Sequence, residues 1–315
     1  MTVLITGGAG FIGSNLSIKL VELNYDVIVL DIKDNPINLE PIIKEINYVK
    51  IDVRDTNKLR ELIDSYNVEG IIHLAAVSRV IWGEQNPERC IDVNVNGTRS
   101  VLHAIVKSKT KPWLIFGSSR EVYGEPAKLP VREDFPKIPI NVYGYTKVLG
   151  ERLVEHYVNK YGINAITLRF SNVYGNEKDI LDRVIPRFIL AALRDEPIEI
   201  HGGQQVFDFT HIEDTIEGIL RAMKFLEDLD SNSSFYDHFH ILPGRPSTLQ
   251  KIVDIISSYL KKDLEVIYTK PRKYDVVRFY GDPSKAYEIL GFKAKIFVEE
   301  GIPKTIDRFR KVFGL

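Results

Sequence analysis

Three glycines, Gly7, Gly10 and Gly13, stand between a short apolar run and a segment of helical periodicity. That junction restricts the fold more than any other feature of the chain. Thr2-Val3-Leu4-Ile5-Thr6 reads as a buried parallel strand stopped by Gly7-Gly8. Apolar residues at 11, 12, 16, 20 and 23 predict a helix from Phe11 to Leu23. In a strand, G-x-x-G-x-x-G, helix unit each glycine has a task. The first allows the tight turn, the second lets backbone approach a pyrophosphate, and the third lets helix and strand pack closely. Backbone N–H groups of the first helical turn, around Phe11 and Ile12, then face phosphates with the helix dipole behind them.

Such a unit also needs a carboxylate at the end of the second strand. Asp26 to Leu30 is that strand and Asp31 ends it, about 18 residues beyond Gly13. The turn is therefore read as a dinucleotide site. Asp31 suits the adenosine ribose hydroxyls, and its charge would repel a 2′-phosphate, which favours NAD over NADP. Lys33 keeps NADP open, because a nearby cation softens that repulsion. Asp52, followed by Val53, ends a third strand, Ile46 to Ile51. It is placed to bind the adenine amine or, alternatively, to cap the next helix with Asp55.

The alternation continues. A helix near Thr56 to Tyr66 precedes a strand from Gly70 to Leu74, and a long helix is predicted from about Pro87 to Lys107. Strand Trp113 to Phe116, helix Tyr143 to Tyr161 and strand Ala165 to Phe170 follow. This order implies right-handed crossovers and a doubly wound, Rossmann-type α/β sheet covered on both faces. Beyond residue 170 the pattern loosens. Asn172 to Leu181 and Ser231 to Arg245 read as loop-rich, with helices over Arg183 to Arg194, Ile212 to Leu229 and Leu249 to Leu260. The expected layout is a dinucleotide-binding domain over 1–170, to which the chain returns around 205–230, and a smaller α/β substrate lobe over most of 171–315.

Composition narrows the function classes. The 42 Lys plus Arg against 43 Asp plus Glu leave no electrostatic footprint for nucleic acid. The single cysteine, Cys90, cannot form an intramolecular disulfide or a cysteine-rich zinc site, and no metal is expected. Apolar runs fall far short of the roughly 20 residues of a membrane span. The first residues lack a basic region with a small-residue cleavage site. A cytoplasmic enzyme without nucleic-acid or membrane partners is expected.

Tyr143 and Lys147 are four residues apart, hence on one face of their helix. An ammonium beside a phenol favours the phenolate, so Lys147 is expected to lower the Tyr143 pKa and make it an acid/base near neutral pH. Ser118 and Ser119 follow the Trp113 strand and should emerge at its C-terminal end, where open parallel sheets bind ligands.

These features resemble the extended short-chain dehydrogenase/reductases of the NAD-dependent nucleotide-sugar epimerase/dehydratase family. The likeness runs through Thr6-Gly7-Gly8-Ala9-Gly10-Phe11-Ile12-Gly13, His73-Leu74-Ala75-Ala76, Asn94-Val95-Asn96-Gly97-Thr98 and Val122-Tyr123-Gly124. It continues in Tyr143-Gly144-Tyr145-Thr146-Lys147, Leu168-Arg169-Phe170-Ser171-Asn172-Val173-Tyr174-Gly175 and Asp282-Pro283-Ser284-Lys285. The resemblance implies that Tyr143 is the acid/base, that Lys147 holds the nicotinamide ribose, and that Ser119 binds the reacting sugar hydroxyl. Leu74, Ala75, Ala76 and Asn94 would lie beside the cofactor. Asn172, Arg272 and Asp275 would contact the nucleotide diphosphate and ribose. Phe279 would limit room near the sugar C2. Relatives pair two long helices into a homodimer, and Cys90, Val93, Leu102, Ile105 and Val106 are apolar enough for that face or for packing on the chain's own sheet.

Two departures bear on the reaction. Where most relatives carry an arginine that adds charge at the diphosphate, this chain has Phe207, so the grip rests on Arg272 or recruits Arg183 or Arg187. Where related 4,6-dehydratases carry Thr-Asp-Glu, this chain reads Ser119-Arg120-Glu121. An arginine stays protonated and cannot be the acid that releases a hydroxyl, although Glu121 stands where the dehydratase base would be. The resemblance then implies a 4-epimerase working through a transient 4-keto sugar, with UDP-glucose and UDP-galactose as first substrate pair. Dehydration or decarboxylation through Glu121 is the alternative, and a non-catalytic dinucleotide sensor a remote one.

Overall fold

The computed structural model describes residues 1–230 and 234–315. Its first half alternates strand and helix: β1 (Thr2–Thr6), α1 (Phe11–Glu22), β2 (Asp26–Asp31), β3 (Asn47–Lys50), α2 (Thr56–Ser65) and β4 (Gly70–His73). Then come α3 (Val80–Gln85), α4 (Pro87–Ile91), α5 (Gly97–Lys107), β5 (Trp113–Ser119), α6 (Val142–Tyr161) and β6 (Ala165–Phe170). Short strands dominate the next stretch: β7 (Val173–Tyr174), α7 (Val184–Leu193), β8 (Ile198–His201), β9 (Val206–Phe207) and β10 (Thr210–His211). The chain continues through α8 (Ile212–Glu227), β11 (Tyr236–Ile241), β12 (Ser247–Thr248), α9 (Leu249–Leu260) and β13 (Val266–Thr269). It closes with β14 (Arg278–Phe279), α10 (Ser284–Leu290) and α11 (Val298–Phe313).

Seven strands form one parallel sheet in the order β11-β6-β5-β4-β1-β2-β3. Side chains alternate between its faces, and both faces are covered. Val3 and Ile5 of β1 and Val27 and Val29 of β2 pack with Leu16, Leu20, Ile216 and Met223 from α1 and α8. Leu4, Ile28 and Leu30 pack on the other side with Leu59, Leu102, Ile105 and Val154 from α2, α5 and α6. Burial on both sides is why these strands read as continuous apolar runs. Connections leave β1 in one direction and β4 in the other, so the crevice between their C-terminal ends is the switch point at which such sheets bind ligands.

A third cluster lies beside the sheet and joins Phe188, Phe209, Ile256, Phe279, Ile302 and Phe309. It is bordered by the antiparallel pair β12–β9, by β14 beside β9, and by the parallel pair β13–β8. The chain returns from this lobe to the large sheet through α8, which packs on β5, β6 and β11, and through α10, which packs on β11 and α8.

Three expectations need correction. The helix foreseen over Pro87 to Lys107 is not regular: α4 runs through a π turn, Asp92–Asn96, into α5. The Ser231 to Arg245 stretch is not simply loop, for β11 is the seventh strand, although its first three residues lie outside the described ones. Phe239 and Ile241 face the core, but His238 and His240 replace apolar residues on the opposite face, which hides the strand pattern. Finally, Cys90, Leu102 and Ile105 are completely buried in their own chain, so they cannot form a dimer face, while Val93 lines the cavity described below. The outward residues of these helices are Ile91 at 47%, Tyr145 at 57% and Leu149 at 48% exposure.

A buried polar network ties α6 to the strands β5, β6 and β11. Arg169 of β6 donates from Nε and Nη2 to the two oxygens of Glu151 on α6, at 2.9 and 2.8 Å, with both side chains out of solvent. Ser118 donates to Glu151 Oε1 at 2.6 Å and Lys137 to Oε2 at 2.7 Å. Arg169 also donates to Tyr123, whose hydroxyl meets His240 Nε2 at 2.7 Å. Burial alone would push the Glu151 pKa up, but Arg169 and Lys137 outweigh it and hold it at about 2.

Candidate active site

The C-terminal ends of the central strands open on a cavity of about 990 Å3, at the upper end of ordinary ligand sites, which run from roughly 300 to 1,000 Å3. Gly7, Gly10, Phe11, Ile12 and Gly13 form one wall. Gly7 has φ +71°, and a Cβ there would sit 2.6 Å from Ala75 N. A Cβ on Gly13 would sit 2.5 Å from Gly7 O, so helix and turn approach as closely as only glycine allows. Gly10 is the N-cap of α1, and no described side chain caps that helix or adds an acid to its first turn. Its terminal N–H groups are left for an anion.

Asp31 lies in the same wall. Its Oδ2 accepts from Ala9 N at 3.0 Å and its Oδ1 from Ile32 N at 2.8 Å, which fixes the carboxylate at the cavity edge. Lys33 Nζ, the cation that kept a 2′-phosphate open, spends one of its three donors on Ala9 O at 2.9 Å. Asp52 and Val53 also line the cavity. Asp52 is paired with Arg54, which lowers its pKa, and it is Asp55 that caps α2 by accepting from Lys58 N. Leu74, Ala75 and Ala76 line the floor after β4.

Asn94 stands differently. It is buried in the π turn and does not line the cavity. Its Oδ1 accepts from Val77 N at 2.7 Å, and its Nδ2 donates to Val77 O at 3.1 Å and to Thr146 Oγ1 at 2.9 Å. Asn94 thus clamps the loop after β4 to the helix that carries Tyr143 and Lys147.

Ser119, Tyr143 and Lys147 are brought together deep in the crevice. Asn141 caps α6 by accepting from Gly144 N at 2.8 Å, which sets the start of the helix one residue before Tyr143. Lys147 Nζ donates to Gly117 O on β5 at 2.7 Å and lies 5.8 Å from the Tyr143 ring centre. The expected lowering of the Tyr143 pKa is not found in the free protein. Burial pushes the phenol up to about 12, and the hydrogen bond with Ser119 only partly opposes it. Burial likewise drives Lys147 down to about 8. Withdrawal from water penalises both charged forms.

On the substrate side, Asn172, Arg272 and Asp275 line the cavity, with Asn172 held at φ +37° and its Nδ2 donating to Asp208 O at 3.2 Å. Arg272 Nε donates to Asp275 Oδ2 at 2.8 Å. Phe279 does not reach the cavity: it is fully buried, stacked on Tyr123 at 5.8 Å, and cannot limit room beside a sugar directly. Arg183 and Arg187 also line it, and Arg187 Nε is buried with no hydrogen-bond partner among the described residues. Glu121 is buried at the cavity wall. Its Oε1 pairs with Arg120 at 2.9 Å and its Oε2 accepts from Asn141 Nδ2 at 2.8 Å. Sequence reasoning gave Asn141 no role, although an Asn directly before a helix is the signal of a cap.

Residues 3–236 match the NAD-dependent epimerase/dehydratase family. The chain belongs to that family. Its cofactor is NAD, and it is an enzyme of the extended short-chain dehydrogenase/reductase type. A Methanocaldococcus jannaschii protein described as a candidate UDP-glucose 4-epimerase is 37% identical over 310 residues, covering 97% of each chain. The Thermotoga maritima UDP-glucose 4-epimerase, solved with UDP-glucose, superposes with a TM-score of 0.91 at 32% identity, covering 99% of this chain and 100% of its own. A Streptomyces venezuelae dTDP-glucose 4,6-dehydratase, solved with NAD, also gives 0.91, at 27% identity over 100% of this chain and 98% of its own. Epimerases and dehydratases of the family thus share this fold equally well.

In this family member the glycine cradle, the free first turn of α1 and the Asp31 carboxylate suit a pyrophosphate and a ribose with free hydroxyls. The buried lysine can be tested without cofactor. A basic group whose pKa is depressed on folding costs stability while it is protonated in both states, and the cost fades as pH rises from its folded to its unfolded value. Wild type should therefore gain stability relative to Lys147→Met between pH 8 and 10.5, measured by urea unfolding of the NAD-free protein. A difference that stays flat across that interval contradicts a buried, depressed Lys147.

Proposed function

We propose that this enzyme inverts C4 of a nucleotide-diphosphate hexose, with UDP-glucose and UDP-galactose as the first pair. The observation that carries this reading is the commitment of Glu121. Its oxygens are engaged by Arg120 and Asn141, so removing a C5 proton would require it to share or give up one of these contacts. The Ser119, Tyr143 and Lys147 set also lines the crevice, and it suffices for reversible oxidation at one carbinol. The Thermotoga maritima relative solved with UDP-glucose supports the same substrate class.

When bound, NAD supplies the hydride acceptor for C4 and a positive charge that favours loss of the phenolic proton. Tyr143 takes the proton of the sugar 4-hydroxyl through its phenolic oxygen and returns it when the ketone is reduced from its other face. Ser119 holds the same sugar oxygen. Lys147 spends one N–H on Gly117 O and keeps two donors for ribose hydroxyls. Arg272 and Arg187 grip the diphosphate, whose negative charge suits planar guanidinium donors.

We also propose a homodimer through α4 and α6, on the support of the exposed Ile91, Tyr145 and Leu149. Sedimentation equilibrium should give twice the chain mass for wild type and the chain mass for Leu149→Arg. A monomeric wild type at micromolar concentration contradicts it.

Incubation of the NAD-containing protein with UDP-galactose should yield UDP-glucose at unchanged mass, resolved by chromatography with mass detection. Tyr143→Phe should lower turnover about 10²–10⁴-fold while UDP binding is kept. A product lighter by one water, or a variant within tenfold of wild type, contradicts the proposal.

A further inference from the structure

The two departures from the family pattern, Arg120 and Phe207, are far apart in sequence but meet in the cavity wall. The Arg120 guanidinium carbon lies 4.3 Å from the Phe207 ring centre and 5.7 Å from that of Phe279. Arg120 is 8% exposed, immediately follows Ser119, and lines the cavity. Its Nη2 pairs with Glu121 Oε1 at 2.9 Å, whereas its Nη1 is buried with no hydrogen-bond partner among the described residues.

A guanidinium keeps all five of its donors, and a buried donor left unpaired costs free energy. The carboxylates around it are already occupied. Glu121 Oε2 serves Asn141, while Asp208 accepts from Ser171 Oγ at 2.5 Å and from Gly281 N at 2.9 Å. Two aromatic rings of the lobe, Phe207 in the cavity wall and the buried Phe279, flank the guanidinium.

We propose that Arg120 is an anion-binding residue of the substrate pocket, its guanidinium turning into the cavity to receive an anionic oxygen of the nucleotide sugar. The inference rests on the nucleotide-sugar reading above and adds a recognition residue to it. Arg120 supplies from the turn after β5 the cation that an arginine at position 207 would supply from β9, and the Phe207 ring becomes its platform. In a UDP-hexose the anionic oxygens belong to the diphosphate, and a sugar carboxylate is the other source of the same chemistry.

Calorimetric titration of the NAD-containing protein with UDP, UDP-glucose and UDP-glucuronate tests this. Arg120→Gln should weaken binding by about tenfold or more. A loss seen with all three ligands assigns Arg120 to the diphosphate, and a loss confined to UDP-glucuronate assigns it to the sugar carboxylate. The double variant Arg120→Gln with Phe207→Arg should recover UDP affinity, which a purely structural role of Arg120 would not produce. Arg120→Lys, which keeps the charge in a smaller head, provides a second reading if Arg120→Gln does not fold, and should bind less tightly than wild type. Unchanged affinity of the variants for all three ligands overturns the inference alone. Failure of wild type to bind any of them overturns the nucleotide-sugar reading, and this inference with it.

Discussion

The buried Arg169–Glu151 pair is the constraint on which the active end of this molecule depends. It joins β6 to α6, takes in Ser118 at the end of β5, and reaches His240 on β11 through Tyr123, whose ring stacks on Phe279 of the lobe. Glu151 lies one helical turn beyond Lys147, and Ser118 directly precedes Ser119. The ion pair therefore fixes the rotation of α6 against β6 and, through Ser118, against β5, and with it the mutual placement of Ser119, Tyr143 and Lys147. Such a pair adds little over a well-packed apolar substitute, but removing one partner strands a buried charge at a cost of about 3–5 kcal/mol. Its value here is geometric.

Around that frame the site is governed by exclusion of water. Burial raises Tyr143 and lowers Lys147, so the free enzyme keeps the phenol protonated and spreads the lysine between charge states near pH 8. In the proposed mechanism the phenol becomes an effective base once positive charge is brought beside it, which couples proton transfer to possession of the cofactor. The third candidate group, Glu121, is instead held in the cavity wall by Arg120 and Asn141.

Much of this was legible in the sequence. The glycine turn, the Asp31 strand end and the Tyr143–Lys147 spacing are local patterns with a local cause, and the central strands are apolar on both faces. What escaped reading depends on partners distant in the chain. Tyr236 to Ile241 looks like loop because its histidines answer Glu133 and Tyr123 from over a hundred residues away. Asn94 matches a cofactor-side motif yet serves as a clamp, since a π turn points its amide at Val77. The apolar residues of the long helices suited a dimer face and an inner face equally, and only packing on the sheet decides between them. Phe279 could be aligned, but its depth could not.

The most direct test of the central claim follows the hydrogen at C4. UDP-galactose deuterated at that carbon should be converted to UDP-glucose that retains the deuterium at C4, with no loss to ordinary water and no change in mass. Deuterium leaving C4, or a product lighter by one water, would contradict oxidation and return at a single carbon.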